Sequence, residues 1–153
     1  MIDVKRLFDT VGSTLEINEE YDYSDYDLDG AKPFATPIKV KGKISNRAGA
    51  VELNYTLDFT ADFQCDRCLS DIKQDFSLSG NHVLTENNSD ELDDELYIVC
   101  ENAQLNLEET VLFTILLNMS SKHLCSRNCK GLCCNCGKNL NEGECNCGTQ
   151  DND

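Results

Sequence analysis

VELNYTLDFTADFQ, residues 51–64, alternates apolar and polar side chains without a break. Val51, Leu53, Tyr55, Leu57, Phe59, Ala61 and Phe63 share one parity, and charged or amide side chains occupy most of the other. A period of two sends successive side chains to opposite faces of an extended chain, which a helical period of 3.6 cannot do. The stretch predicts a half-buried strand, long enough to bend or to carry a bulge. Cys65 continues the inward phase, and the turn Cys65-Asp66-Arg67-Cys68 hands the chain to a return strand over about residues 72–84. There Ile72, Phe76, Leu78 and Leu84 are in phase. Cys65 and Cys68 therefore belong at a hairpin tip, where two thiols are more than a core requires.

Working outward, residues 36–46 alternate as well. Ile38, Val40 and Ile44 face one way, and Lys39, Lys41 and Lys43 the other. This predicts a half-buried strand with a basic outer face. Asn46-Arg47-Ala48-Gly49 is a turn signal. Residues 1–10 suit a short strand or a helical turn, and Leu15 and Ile17 suit the start of a strand. The acidic tract from Glu19 to Gly30 reads as a loop or a poorly ordered segment, and alternatively as a docking strip for a basic partner. Asn87 to Glu95 reads as a polar loop, and Leu96 to Cys100 as a short buried strand ending in a core thiol.

Asn106 suits a helix N-cap, with Glu109 at the third position. The helix should run over about 106–119 with Leu107, Val111, Leu112, Ile115, Leu116 and Met119 as its apolar stripe. The expected class is α+β: a mainly antiparallel β-sheet, one packed helix, and a C-terminal zinc knuckle segment. Residues 1–120 are expected to form the β-rich domain with its helix. Residues 121–148 should form a cysteine-rich, zinc-binding segment docked on it, and residues 149–153 a disordered tail.

The C-terminal segment CSRNCKGLCCNCGKNLNEGECNC, residues 125–147, carries seven of the ten cysteines. Cys125-x3-Cys129, Cys133-x2-Cys136 and Cys145-x-Cys147 are short-spaced pairs, and Cys65-x2-Cys68 is a fourth. Such spacings let two thiolates of one turn reach one ion, and zinc favours four ligands in a tetrahedron. Gly137 after Cys136 permits the positive φ of a knuckle. Two zinc ions are expected. One would take Cys133, Cys136, Cys145 and Cys147, the other Cys65, Cys68, Cys125 and Cys129. Alternatively, the four thiols Cys125, Cys129, Cys133 and Cys136 share a single ion. Cys100 and Cys134 are not expected to be ligands. Disulfides or an iron–sulfur cluster are the competing readings of the cysteines. The N-terminus MIDVKRLFDTVGS has no apolar signal region. No stretch approaches the roughly 20 apolar residues of a membrane span. The expected location is cytoplasmic, with reduced thiols.

The net charge of −15 argues against diffuse binding of nucleic acid, which draws on lysine and arginine. Yet nine of the 13 basic residues fall in two acid-free blocks, 30–51 and 120–141. Lys39, Lys41 and Lys43 from the first, and Arg127, Lys130 and Lys138 from the second, are candidate contacts for RNA or a partner if the two blocks meet. A catalytic role is not expected. The histidines are only His82 and His123, and thiolate-rich zinc sites are closed rather than open to water.

Three stretches together, FQCDRCLSDI at 63–72, LNLEETVLFTILL at 105–117 and LCSRNCKGLCCNCGKNLNEGECNC at 124–147, resemble the YceD family of large ribosomal RNA subunit accumulation proteins. The tail is similar to the Gram-positive branch, C-x3-C-K-G-L-C-x2-C-G-x-N-L-N. The resemblance covers the chain from about residue 36. Cys100 and Cys134 are extra, and Asn118-Met119-Ser120-Ser121 stands where many relatives carry a proline. The resemblance implies a non-enzymatic factor in the synthesis, processing or stability of large-subunit (23S) ribosomal RNA and in ribosome assembly. It also implies that metal braces the fold. The implied partner is ribosomal RNA or a large-subunit ribosomal protein, with no membrane and no small-molecule substrate. The alternative function is a redox-regulated zinc protein or chaperone.

Overall fold

The computed structural model describes residues 1–87 and 95–147. The expected disordered tail and most of the expected 87–95 loop lie outside the described residues. In chain order the elements are β1 (Ile2–Asp3), α1 (Lys5–Asp9), β2 (Thr14–Tyr21), β3 (Ile38–Arg47), β4 (Ala50–Gln64) and β5 (Asp71–Thr85). They continue with β6 (Tyr97–Val99), a 3₁₀ turn at Glu101–Ala103, β7 (Gln104–Leu105) and α2 (Leu107–Asn118). The strands β2-β3-β4-β5-β6 form one sheet in that order, and β1 pairs with β7. The sheet is antiparallel except at its edge, where β6 runs parallel to β5.

Register keeps every apolar parity on one face. Val40 stands opposite Leu57 and Ile44 opposite Leu53. Phe59 pairs with Phe76 and Phe63 with Ile72. The β4–β5 ladder runs one-to-one from Val51↔Leu84 to Gln64↔Asp71, so the long strand carries no bulge. A one-residue slip would turn the whole apolar set outward. Between β3 and β4 the chain turns at Ala48 (φ 53°) and Gly49 (φ 93°). Both lie in the left-handed region, as a two-residue I′ hairpin requires. The Asn46 carboxamide oxygen accepts from the Gly49 N–H at 2.9 Å and locks that turn.

The inner face of the sheet is buried: Ile17, Ile38, Val40, Ile44, Val51, Leu53, Leu57, Phe59 and Ala61 all belong to one core. Leu107, Val111 and Ile115 of α2 belong to the same core, with Val4, Leu7, Phe34 and Leu105. Asn106 caps α2 by accepting from the Glu109 N–H at 3.3 Å, and its amide donates to the Glu109 carboxylate at 2.9 Å. Such a cap is worth about 1 kcal/mol. The stripe expected for this helix is shifted. Thr114 is buried, while Leu116 and the neighbouring Phe113 and Leu117 are exposed. Tyr55 explains Thr114: its hydroxyl lies 2.6 Å from Thr114 Oγ1 and 3.1 Å from His82 Nε2, so the polar atoms are satisfied in the core.

The acidic tract is ordered by its tyrosines. Tyr23 is buried, and its hydroxyl donates to the Glu108 carbonyl at 3.2 Å. The Tyr23 and Tyr26 rings lie 6.3 and 6.1 Å from that of Phe34, which itself meets Phe59 at 5.9 Å. Asp22, Asp25, Asp27 and Asp29 stay in solvent. The alternation of tyrosine and aspartate is thus an aromatic anchor with a charged exterior.

Gly80 stands opposite Tyr55 in the ladder. A Cβ there would overlap the Tyr55 ring, which uses that space to reach His82 and Thr114. Gly80→Ala should therefore destabilise the fold by about 1–3 kcal/mol, the cost of overpacking a filled core. Urea unfolding checks this, and an unchanged midpoint would show that the ring relocates freely.

Candidate metal centre

The β4–β5 hairpin ends in a tight loop. The Leu69 N–H bonds the Cys65 carbonyl at 2.9 Å, and the Cys65 N–H bonds the Ser70 carbonyl at 2.8 Å. Leu69 takes φ 59° to complete it. This puts the Cys65 and Cys68 side chains on the same side of the tip. The chain leaving α2 returns to that tip and is fastened there. The Asp66 N–H donates to the His123 carbonyl at 2.8 Å, and the His123 N–H to the Asp66 carboxylate at 2.9 Å. The His123 ring stacks on Phe63 at 3.7 Å.

Four sulfurs then converge. Those of Cys65, Cys68, Cys125 and Cys129 all lie within 4.8 Å of one another. Cys65 to Cys129 and Cys68 to Cys125 are each 3.6 Å. Cys133, Cys136, Cys145 and Cys147 form a second group within the same limit, with Cys133 and Cys145 at 3.4 Å. No pair is bonded, and all ten cysteines are free thiols. A tetrahedral zinc with sulfur at about 2.3 Å has edges of about 3.8 Å, so both groups have the spacing of an ion's ligand shell. The donor set fits zinc: four soft thiolates and no free coordination position.

Backbone groups complete each shell. The Cys125 N–H donates to Cys65 Sγ at 3.4 Å, and the Asn135 N–H to Cys133 Sγ at 3.4 Å. Arg67 donates to the Cys129 carbonyl at 3.0 Å, and the Asn141 amide to Cys129 Sγ at 3.3 Å. Gly137, with φ 72°, lets its N–H return to the Cys133 carbonyl at 2.9 Å and closes the knuckle. Arg67 and Asn141 were not among the residues singled out from the sequence. The signal available was their position inside the CDRC turn and just after the knuckle.

Electrostatics divides the sulfurs. The N–H groups of Cys68, Cys125 and Arg67 hold the Cys65 thiol down to about 6, against opposing desolvation. Those of Cys136 and Asn135 hold Cys133 down to about 6. Contact with the Cys129 and Cys68 sulfurs pushes Cys125 up to about 11, and contact with Cys136 pushes Cys147 up to about 12. One sulfur of each group ionises readily while another resists. A cation at the centre would reverse that resistance.

The basic residues do not form one patch. Lys39, Lys41 and Lys43 project from the outer face, between β2 and β4. Lys39 stands beside Glu20 and Asp58, and Lys43 pairs with Glu16 at 3.9 Å. Lys39 is level with Asp58, seven residues before Cys65, or roughly 23 Å at about 3.3 Å per residue. Arg127 instead borders a cleft with Ile72, Gln74 and Phe76, whose register partners Phe63, Ala61 and Phe59 belong to the inner face. Lys138 donates to the Glu144 carbonyl at 2.8 Å and closes the second cysteine loop, and Lys130 is exposed. The two blocks do adjoin at one cleft, where Ala31, Lys32 and Pro33 meet Ser120, Ser121 and His123. Lys39, Lys41 and Lys43 take no part, because the alternation that buries Val40 turns these lysines to the opposite side of the sheet.

Cys134 is exposed and stands outside both groups. Cys100 is fully buried, and burial followed by the charge of Glu86 pushes its thiol up to about 11. Alkylation of the native protein at pH 8 should therefore modify Cys134 and leave Cys100 untouched until unfolding. Peptide mapping reads the order, and early labelling of Cys100 would contradict the packing described.

Residues 53–153 match the family model described as Large ribosomal RNA subunit accumulation protein YceD. Two curated relatives carry the name Large ribosomal RNA subunit accumulation protein YCED homolog 1, chloroplastic. The one from Zea mays is 24% identical over 152 residues, covering 79% of this chain and 52% of the relative. The one from Arabidopsis thaliana is 21% identical over 150 residues, covering 79% and 47%. The chain spans about half the length of these relatives. No solved structure matches it. The matched stretch contains both four-sulfur groups, most of the β4–β5 hairpin and α2, and the chain belongs to the YceD family.

Proposed function

We propose that this protein is a non-enzymatic factor for the accumulation of large-subunit (23S) ribosomal RNA during ribosome assembly, acting in the cytoplasm and braced by two structural zinc ions. Family membership carries the functional half of this reading. The two closed groups of four thiols carry the structural half. In the first, Cys65, Cys68, Cys125 and Cys129 would tie the end of the chain to the hairpin tip. In the second, Cys133, Cys136, Cys145 and Cys147 would hold the knuckle. A bound zinc would supply a covalent-strength cross-link there and no reaction, because four protein ligands leave no position for water. The packed α+β arrangement, with α2 covering the sheet, would present these braced loops on a rigid body. Among the described residues no helix is long and apolar enough to cross a membrane.

His82 hydrogen-bonds Tyr55 and the Glu95 carbonyl, and His123 stacks on Phe63. Both side chains have structural partners. The partner is ribosomal RNA or a protein of the large subunit.

Elemental analysis of the purified protein should return two zinc ions per chain. One ion or none would remove the two-site count. Cys65→Ser should lose one ion and keep the other, and a variant that holds both would break the assignment. Replacing Cys100 and Cys134 together should leave the zinc content intact. In cells, depletion of the protein should lower 23S relative to small-subunit ribosomal RNA on a denaturing gel. An unchanged ratio would overturn the assembly role.

A further inference from the structure

We propose that the cleft beside the first cysteine group, between the end of the sheet and the chain leaving α2, binds a short single-stranded segment of RNA. The inference rests on the ribosomal RNA reading above and names the surface that would serve it. The cleft has a volume of about 710 Å³ and is lined by Ile72, Gln74 and Phe76 of β5, by Asn118 at the end of α2, and by residues of the segment 120–127. That segment contributes Lys122 and Arg127, with the His123 ring, Leu124 and the hydroxyls of Ser120 and Ser126.

Its charge sets it apart. The protein carries a net charge of −15, yet among the described residues no carboxylate lines this cleft. Four other clefts each have at least one: Asp58 in the first, Glu109 in the second, Glu16 in the third and Asp66 in the fourth. The ion pairs among the described residues are Lys32–Asp25, Lys43–Glu16 and Lys73–Asp62, and neither Lys122 nor Arg127 takes part. Two exposed cations without carboxylate partners therefore flank a wall of Ile72, Phe76 and Leu124. Cations meet phosphates, apolar and aromatic walls take unstacked bases, and an amide such as that of Gln74 reads a base edge.

The cleft lies between the end of β5 and the returning chain, and a single strand offers the unstacked bases that its apolar wall can take. The Asp66–His123 hydrogen bonds and the Phe63–His123 stack fasten the returning chain, so the cations are held at a fixed place on the sheet. All lining residues fall within the stretch that the family model covers, whereas Lys39, Lys41 and Lys43 precede it.

The test uses the purified full chain and fluorescent single-stranded RNA oligonucleotides of 23S sequence, titrated over a range of salt. The unaltered protein should bind. Lys122→Gln with Arg127→Gln should weaken binding and flatten the plot of log affinity against log salt by about 0.7 per lost phosphate contact, or about 1.4 for the pair. Zinc content and the unfolding midpoint control for folding, since Lys122 and Arg127 neighbour the cysteine loop. Lys39→Gln with Lys41→Gln and Lys43→Gln should leave the slope unchanged. Failure of the unaltered protein to bind RNA overturns the proposal and points to a protein partner. A slope unmoved by the cleft pair, or moved only by the outer-face triple, also overturns it. Neither result touches the assembly reading, which the cellular 23S ratio tests separately.

Discussion

The convergence of four sulfurs on the tip of one hairpin constrains the rest of this chain. Cys65 and Cys68 are about 60 residues from Cys125 and Cys129, and the two pairs lie within 4.8 Å. Closing a loop of that length costs chain entropy that grows only slowly with its length. Whatever holds the sulfurs together must meet that cost and the repulsion of neighbouring thiolates. Backbone N–H groups and the stacked His123 contribute, and a cation would contribute most. The hairpin must accordingly be rigid at its far end. An unbroken register of paired residues from Val51 to Gln64 makes it so.

The same ladder separates two chemistries. Its inner parity builds the core that α2 shares through Leu107, Val111 and Ile115. The outer face of the adjoining β3 presents Lys39 beside Glu20 and Asp58 and Lys43 beside Glu16, with Lys41 between Asn18 and Thr56. Surface ion pairs of that kind contribute little to stability. They do reduce the field that the lysine row can offer to phosphate. Lys122 and Arg127, carried by the returning chain, form no ion pair among the described residues, so a protein with a large negative charge keeps a small basic notch beside its cysteine-rich end.

Much of this was legible from residue order. Strict alternation over residues 51–64 predicted β4, and Asn106 with Glu109 predicted the start of α2. Both signals are local, because parity and capping act within a few residues. The acidic tract was not legible in the same way. Its charge suggested a loose loop, but Tyr23 and Tyr26 find Phe34, which itself meets the sheet through Phe59. Thr114 was missed as a core residue because its partner, Tyr55, lies 59 positions away. The unbroken ladder was likewise undecided, since a bulge depends on both strands.

The sequence by itself determined the kind of chemistry: short-spaced cysteines, a tail like that of the YceD family, and strands of fixed parity. Those are properties of residue type and near spacing. Only the tertiary structure decided which sulfurs are neighbours, because grouping Cys65 and Cys68 with Cys125 and Cys129 depends on how the chain leaving α2 docks at Asp66 and Phe63. It also decided that Lys39, Lys41 and Lys43 lie on the face opposite to the cleft that Arg127 borders. Alternation assigns a side chain to a face, but which face a distant loop comes to cover is settled by packing and long-range hydrogen bonds.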